Sequence, residues 1–409
     1  MRVVLRVPGF PSETFIAQQF VALLERGVDA HVVCEHSRPE AWPRFTRLQA
    51  VPGARGRVHP MELGTRRRRA VLRLASALAR SAVRRPRATA RFLRGCRGAG
   101  ARDTLGRLVR GAPFLVLDPD VIHFEFGTQA VSNTYLREAV DAAAVVSLRG
   151  FDVNYSGLDV PGFFDEVWRE VDVVHANGTD LWERGVRRGC PPDKPHRLIA
   201  PAVDATIFRP GDPRPGVLGG ADRPVRVVSV GRLHWKKGYE WALAAIRVLR
   251  DRGLHVEYRV VGGGPYADAV RACVADLGLE GVVHLLGDRS REEVLEEVRA
   301  ADVFLHASVS EGFSNGVMEA QAMELPVVSS DGDGARENLA DGETGFVVAR
   351  RDPEALAARV ADLAADPELR RRMGRAGRRR VVERFGLDAQ TDAFVALYEE
   401  ARRVRATRS

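Results

Sequence analysis

VRVVSVGRLHWKKGYEWALAAIRVLR, residues 225–250, reads as three segments in succession. Val225–Val230 is a short β-branched run closed by Gly231, the pattern of a strand buried on both faces. Tyr239–Arg250 carries apolar residues at helical spacing. The loop between them is bounded by Gly231 and Gly238 and holds Arg232 and Lys237. The same register repeats downstream: Val256–Val261, Ala267–Leu277, Val282–Leu285, Arg291–Ala300, Val303–His306, Met318–Met323, Val327–Ser329 and Gly345–Val348. Strands alternating with helices predict a doubly wound α/β domain with a parallel sheet. In such sheets ligands bind beyond the carboxyl ends of the strands, so the loops there should carry the chemistry.

Upstream, RPGDPRPGVLGGADR (209–223) has the composition of an interdomain linker. Before it lies a second set of strand candidates: Arg2–Val7, Ala30–Cys34, Val121–Phe124, Ala144–Leu148 and Val171–His175. The expected architecture is α/β: two doubly wound Rossmann-like domains, 1–208 and 209–386, whose parallel sheets face a central cleft. Residues 387–409 are expected to form a helix packing back toward the first domain. A chain of 409 residues suits two domains, and 45% hydrophobic content supports two cores.

No run of about 18 apolar residues is present, which argues against a membrane span. The start, MRVVLRVPGFPSETF, reads as a first strand and not as a signal peptide. Cys34, Cys96, Cys190 and Cys273 are isolated, so neither structural zinc nor a disulfide framework is expected, and free thiols fit a reducing cytoplasm.

The net charge is +8, unevenly spread: between Gly64 and Arg110 fifteen Arg face one acidic residue, Asp103. Such a patch attracts phosphates, nucleic acid or an anionic membrane face. With only three Lys in the chain (Lys194, Lys236, Lys237), Arg is also simply its default cation. Val71, Leu72, Leu74, Ala75 and Leu78 suit an amphipathic helix within this insertion, broken at Pro86 and over Gly95–Gly100. The expectation taken forward is cytoplasmic location with peripheral contact to the inner membrane face, and no nucleic-acid partner.

Two motifs carry the chemistry. In GRLHWKKGYE (231–240), Gly231 permits close backbone approach, and the following helix start supplies unpaired N–H groups and partial positive charge. Arg232 and Lys237 add full charges, an arrangement suited to a diphosphate. In SEGFSNGVMEAQAM (310–323), Glu311 stands on a Gly-bearing loop after a strand and Glu319 eight residues later, in the first turn of a helix beginning near Asn315 or Gly316. Ionised carboxylates accept hydrogen bonds only and so suit pairs of hydroxyls. The bland alternatives are solvated cations and a helix-dipole carboxylate. VGGGP (261–265) lacks the G-x-G-x-x-G spacing of a dinucleotide site. Asp118/Asp120 and Asp331/Asp333 have metal-ligating spacing but sit in Pro- or Gly-bearing turns, where Asp caps backbone.

GRL…KKG followed by E-x7-E resembles the retaining glycosyltransferases of family 4, which have the GT-B fold. VGGGP and DGDGARENLADGETGFVV (331–348) fall in order, and FPSETF (10–15), DVIHFEFG (120–127), RGFDVN (149–154) and PAVDATIFRP (201–210) resemble the colanic-acid-type, exopolysaccharide-building branch. The resemblance implies a nucleotide-sugar donor, UDP- or GDP-linked, and a lipid-linked or soluble glycan acceptor. It implies no metal and no other cofactor. Donor binding falls to Gly231, Arg232, Lys237, Gly263, Glu311, Gly312, Phe313, Ser314, Asn315 and Glu319, with Glu319 on the ribose and Glu311 at the donor sugar. The acceptor side falls to Glu13, Thr14, His123 and Glu125. The catalytic set is His123, Glu311, Arg232 and Lys237, with His123 at the cleft near the reacting centre. Glu125 stands where many members have a second His, and Ala202 where they have Gly. The alternatives are glycosylation of a soluble natural product, or a non-enzymatic protein that binds an anionic surface.

Overall fold

The computed structural model describes residues 1–61, 67–211 and 216–408. Gly64, Thr65 and Arg66, at the start of the basic insertion, lie outside the described residues. The chain forms two compact units, the first comprising Met1–Ile199 with Gln390–Ser409, the second Ala200–Ala389.

The first unit is built on a parallel sheet of β1 (Arg2–Phe10), β2 (Asp29–Ser37), β3 (Val58–Pro60), β4 (Val121–Phe124), β5 (Ala143–Leu148), β6 (Val173–Ala176) and β7 (His196–Leu198). Their order is β3-β2-β1-β4-β5-β6-β7. Side chains alternate across the sheet, as strand geometry requires. Val3, Leu5 and Val7 enter one core with Phe20, while Val4, Ile122 and Val146 enter the other with Phe114. The basic insertion folds as helices Arg67–Arg84, Pro86–Gly95 and Ala101–Leu117, broken where Pro86 and the glycines predict. Phe92, Phe114, Leu115 and Leu117 point inward, so the insertion covers one face of the sheet. The opposite face is covered by helix Thr14–Glu25 and by Phe394, Leu397, Tyr398 and Ala401 of helix Leu387–Arg408.

The second sheet comprises β8 (Val225–Val230), β9 (Val256–Val261), β10 (Val283–Gly287), β11 (Val303–His306), β12 (Val327–Ser330) and β13 (Gly345–Val348), ordered β10-β9-β8-β11-β12-β13. All five strand pairs are parallel. The chain winds one way from β8 and then restarts on the other side at β11, so the switch point lies between β8 and β11. A doubly wound sheet binds its ligand at such a point.

The expected linker does not behave as one. Its described residues belong to the second unit: Leu218 is buried and its amide donates to Ala364 O at 3.0 Å, while Arg370 reaches Gly216 O at 2.6 Å. The crossing lies earlier, at Ile199–Ala200, because Val203 and Phe208 already pack in the second unit's core. Pro and Gly there mark a tucked turn, not a free tether.

Candidate donor site and its relatives

The two chemical motifs flank the switch point of the second sheet. GRLHWKKG follows β8, SEGFSN follows β11, and both loops are locked to their neighbours through main chain. Gly231 N donates to Val261 O at 2.9 Å, Leu233 N to Gly263 O at 2.8 Å, and Val309 N to Lys236 O at 2.9 Å. Gly262 has φ +132 and a Cβ there would run into Gly231 O; Gly238 has φ +62 and would strike Ala307 O. Only glycine satisfies both the dihedral and the close approach. These loops are therefore rigid parts of the fold.

Lys237 Nζ and Glu311 Oε1 form an ion pair across the switch point, with the side chains 19% and 10% exposed. Burial opposes ionisation of Glu311, but the charges of Lys237 and Lys236 outweigh it and hold the carboxyl below its ordinary value. Beneath them lies His306, buried, with Nδ1 against Ser329 Oγ at 3.1 Å and Nε2 against Ser308 Oγ at 3.0 Å. Burial first and Lys237 second push this imidazole down to about 4, so it is a neutral floor and adds no charge at pH 7. Arg232 stands exposed on the same loop.

Helix Asn315–Ala322 begins at this point. Ser314 is fixed from both sides by Asn338: Ser314 N donates to Asn338 Oδ1 at 3.0 Å and Asn338 Nδ2 to Ser314 O at 3.2 Å. The Asn315 side-chain oxygen is buried at the helix start without a hydrogen-bond partner, an acceptor open to a donor group. Glu319 is the fifth helical residue, one place beyond the first turn expected for it, which weakens the helix-dipole reading. Its carboxylate makes no hydrogen bond among the described residues. It keeps some exposed surface, yet its surroundings are dry enough that burial, against the pull of Arg291, raises it to about 7. Gly263 closes the site's edge, its amide donating to Asp288 Oδ1 at 2.8 Å. Gly312 and Phe313 are half-buried on the β11 loop, with Phe313 edge-on to Phe385 at 5.7 Å.

Sequence reading missed Asn338, His306 and the Ser310–Asp333–Arg350 link, in which Ser310 Oγ donates to Asp333 Oδ2 at 2.9 Å and Arg350 lies 3.2 Å from Asp333 Oδ1. Asp331 pairs with Arg336 at 3.2 Å, and Asp118 with Arg85. Asp120 accepts the Arg2 amide at 2.6 Å. These carboxylates serve turns and ion pairs.

In the first unit, the loops after β1 and β4 likewise flank the switch point. Thr14 is exposed and Glu13 half-buried at the start of helix Thr14–Glu25. His123 and Glu125, expected on the acceptor side with His123 at the cleft, both have 0% exposure. His175 Nε2 lies 2.9 Å from Ile199 O, which can only accept, so that nitrogen carries the proton. Burial first and Arg149 second lower His175 to about 3 and push His123 well down, so both rings are neutral. Ser147 Oγ must then donate to His175 Nδ1 at 2.7 Å and accept from His123 Nε2 at 2.8 Å. That leaves His123 Nδ1 an acceptor, with Tyr398 OH at 2.9 Å and Glu125 Oε1 at 3.2 Å. Glu125 pairs with Arg149 at 2.7 Å; burial raises its carboxyl against that charge. Arg149 also donates to Asn177 at 2.8 Å and lies over the Phe15 ring at 4.5 Å. His123 and Glu125 thus lie buried beside Arg149, which sequence reasoning did not single out.

Residues 216–380 match the family model described as Glycosyl transferases group 1. The protein named colanic acid biosynthesis glycosyltransferase WcaL, of Salmonella typhimurium, is 29% identical over 388 residues, 88% of this chain and 90% of the relative. The amylovoran biosynthesis glycosyltransferase AmsK of Erwinia amylovora is 36% identical over 176 residues, 40% and 43% of the two chains. Among solved structures, Anabaena Alr3699/HepE in complex with UDP-glucose superposes with a TM-score of 0.72 at 16% identity, covering 98% of this chain and 99% of that one. This chain has the GT-B fold, and its residues 216–380 form a glycosyltransferase group 1 domain, which together with its glycosyltransferase relatives makes it a transferase enzyme.

Proposed function

We propose that the enzyme moves a hexose from a UDP- or GDP-sugar to a hydroxyl acceptor with retention of anomeric configuration, in the assembly of an exopolysaccharide or other cell-surface glycan. The observation that carries this reading is the buried Lys237–Glu311 pair at the β8–β11 switch point, beside Arg232 and the start of helix Asn315–Ala322. Arg232, Lys237 and the helix start stabilise charge developing on the leaving diphosphate. The acceptor hydroxyl attacks C1 from the face the phosphate leaves, the C1–O bond to phosphate breaks as the new one forms, and the departing phosphate oxygen takes the hydroxyl proton. Glu311 is engaged by a cation and binds sugar hydroxyls; it is not a nucleophile of the glycosidase kind. Charge neutralisation falls to side-chain cations, so the reading requires no metal. The names of WcaL and AmsK support exopolysaccharide assembly, and a lipid-linked acceptor at the membrane surface fits that role. HepE's UDP-glucose makes uracil the first base to test.

A thermal-shift screen over nucleoside diphosphates and their sugars tests the donor, since a ligand that binds the native state raises Tm by mass action. Stabilisation by one base, with slow hydrolysis of its sugar without acceptor or metal, is the expected result. No stabilisation by UDP or GDP removes the reading.

A further inference from the structure

Between helices Arg67–Arg84 and Ala101–Leu117, against edge strand β3, lies a cavity of about 490 Å³. That is the size of a small-molecule site and too small for a protein helix. Its wall is apolar, with Met61, Leu72, Ala77, Val109 and Val116 prominent. It opens to water, since Leu72 is 68% and Val116 50% exposed. Solvent-facing apolar surface of this kind marks a binding site more often than a packing fault. Its rim is cationic: Arg80 lines the mouth and Arg84 follows one helical turn on, both exposed and without an acidic partner among the described residues. An apolar slot with a guanidinium rim complements an amphiphile with an anionic head.

We propose that this slot takes one hydrocarbon chain of an anionic membrane phospholipid, whose phosphate sits at Arg80 and Arg84, fastening the first unit to the bilayer. This deepens the reading of peripheral membrane contact and rests on it. The insertion therefore has two sides. Phe92, Phe114 and Leu115 face the core, while the slot and its arginines face lipid.

The test is co-sedimentation of the full chain with vesicles of phosphatidylcholine alone or mixed with phosphatidylglycerol, at low and high salt. Binding only to the mixed vesicles, weakened by salt, is expected. Arg80→Gln with Arg84→Gln should weaken it about 25-fold, at roughly fivefold per cation. Leu72→Asn with Val116→Asn should weaken it at least tenfold without changing the salt dependence. A photoactivatable acyl chain on phosphatidylglycerol should label peptides within residues 58–61, 72–80 or 109–117. Normal vesicle binding by the Asn pair, labelling confined to other regions, or no binding to mixed vesicles at low salt each overturns the proposal. Both variant pairs should hydrolyse donor without vesicles at the wild-type rate, which checks the fold. A wild-type protein that hydrolyses donor but binds no vesicles sinks the membrane reading alone, whereas a wild-type protein inert toward donor sinks the donor reading.

Discussion

Replacing Lys237 by Met keeps most of its bulk and removes its charge, leaving Glu311 buried without its nearest cation. In the native protein, burial opposes Glu311's charge while Lys237 and Lys236 favour it, and the net result is a pKa below the ordinary 4.5. That lowered value contributes stability above pH 4.5, lost only as pH falls through the folded value, so it is constant between pH 5 and 7. In the variant the sign reverses: burial raises the pKa, and the penalty grows with pH above 4.5. Glu311 escapes by taking a proton, so the penalty cannot exceed the cost of protonation. With 1.36 kcal/mol per pH unit, that cost is about 3.4 kcal/mol at pH 7 and about 0.7 kcal/mol at pH 5. The ceiling agrees with the 3–5 kcal/mol typical of a broken buried ion pair. The unfolding free energies of the second unit should therefore differ between wild type and Lys237→Met by up to about 3 kcal/mol more at pH 7 than at pH 5. Urea titration followed through Trp241, half-buried in that core, reads the difference. Adding Glu311→Gln should recover most of the stability but not the turnover, which loss of a transition-state cation lowers by roughly two to three orders of magnitude. An equal stability gap at both pH values would refute the paired-carboxylate account.

Arg232→Ala should cut turnover by roughly a hundredfold to a thousandfold, measured by steady-state donor consumption, with Tm unchanged because the residue is exposed on a loop. Glu319, raised to about 7, should hold nucleoside diphosphate roughly ten times more tightly at pH 8 than at pH 6, since only its ionised form accepts from two ribose hydroxyls. Calorimetry should show Glu319→Gln weakened and flat with pH, and Glu311→Gln affecting turnover more than affinity. Asn338→Ala leaves Ser314 N without its acceptor, while Ser314 O keeps Met318 N at 3.3 Å, and should cost about 1–3 kcal/mol, read by urea unfolding; unchanged stability would deny the clamp.

Strands rich in β-branched residues announced themselves. Val121–Phe124 and Val303–His306 are buried throughout, Val225–Val230, Val256–Val261 and Gly345–Val348 only in part, yet the sequence limits of all five coincide with the observed ones. Val58–Pro60 and His196–Leu198 escaped notice because each is a three-residue edge strand, not fully buried and bearing Pro, His or Arg. In the donor site, residues bearing full charge or glycine were readable from type and spacing. Asn338 was not, because its bond to Ser314 spans 24 positions and exists only once β11 and β12 pair. Nor could the sequence tell that His123 faces inward, since the group enclosing it, Tyr398, lies 275 residues away.

That last separation bears on how the molecule can be made and cut. The first unit is discontinuous, with its sheet supplied by residues 1–199 and part of one of its two covers by the helix from Gln390 onward. During synthesis the second unit, contiguous from Ala200 to Ala389, has all its chain before the first does, and β1, β4 and β5 wait with one apolar face covered only in part, by helix Thr14–Glu25. A chain cut at Ile199 would uncover His123, His175 and the apolar residues around them, and is a candidate for aggregation. Residues 200–389 form the segment suited to isolation. Dissecting the first unit calls for a graft in which the Phe394–Ala401 helix is rejoined to residue 199 through a designed turn.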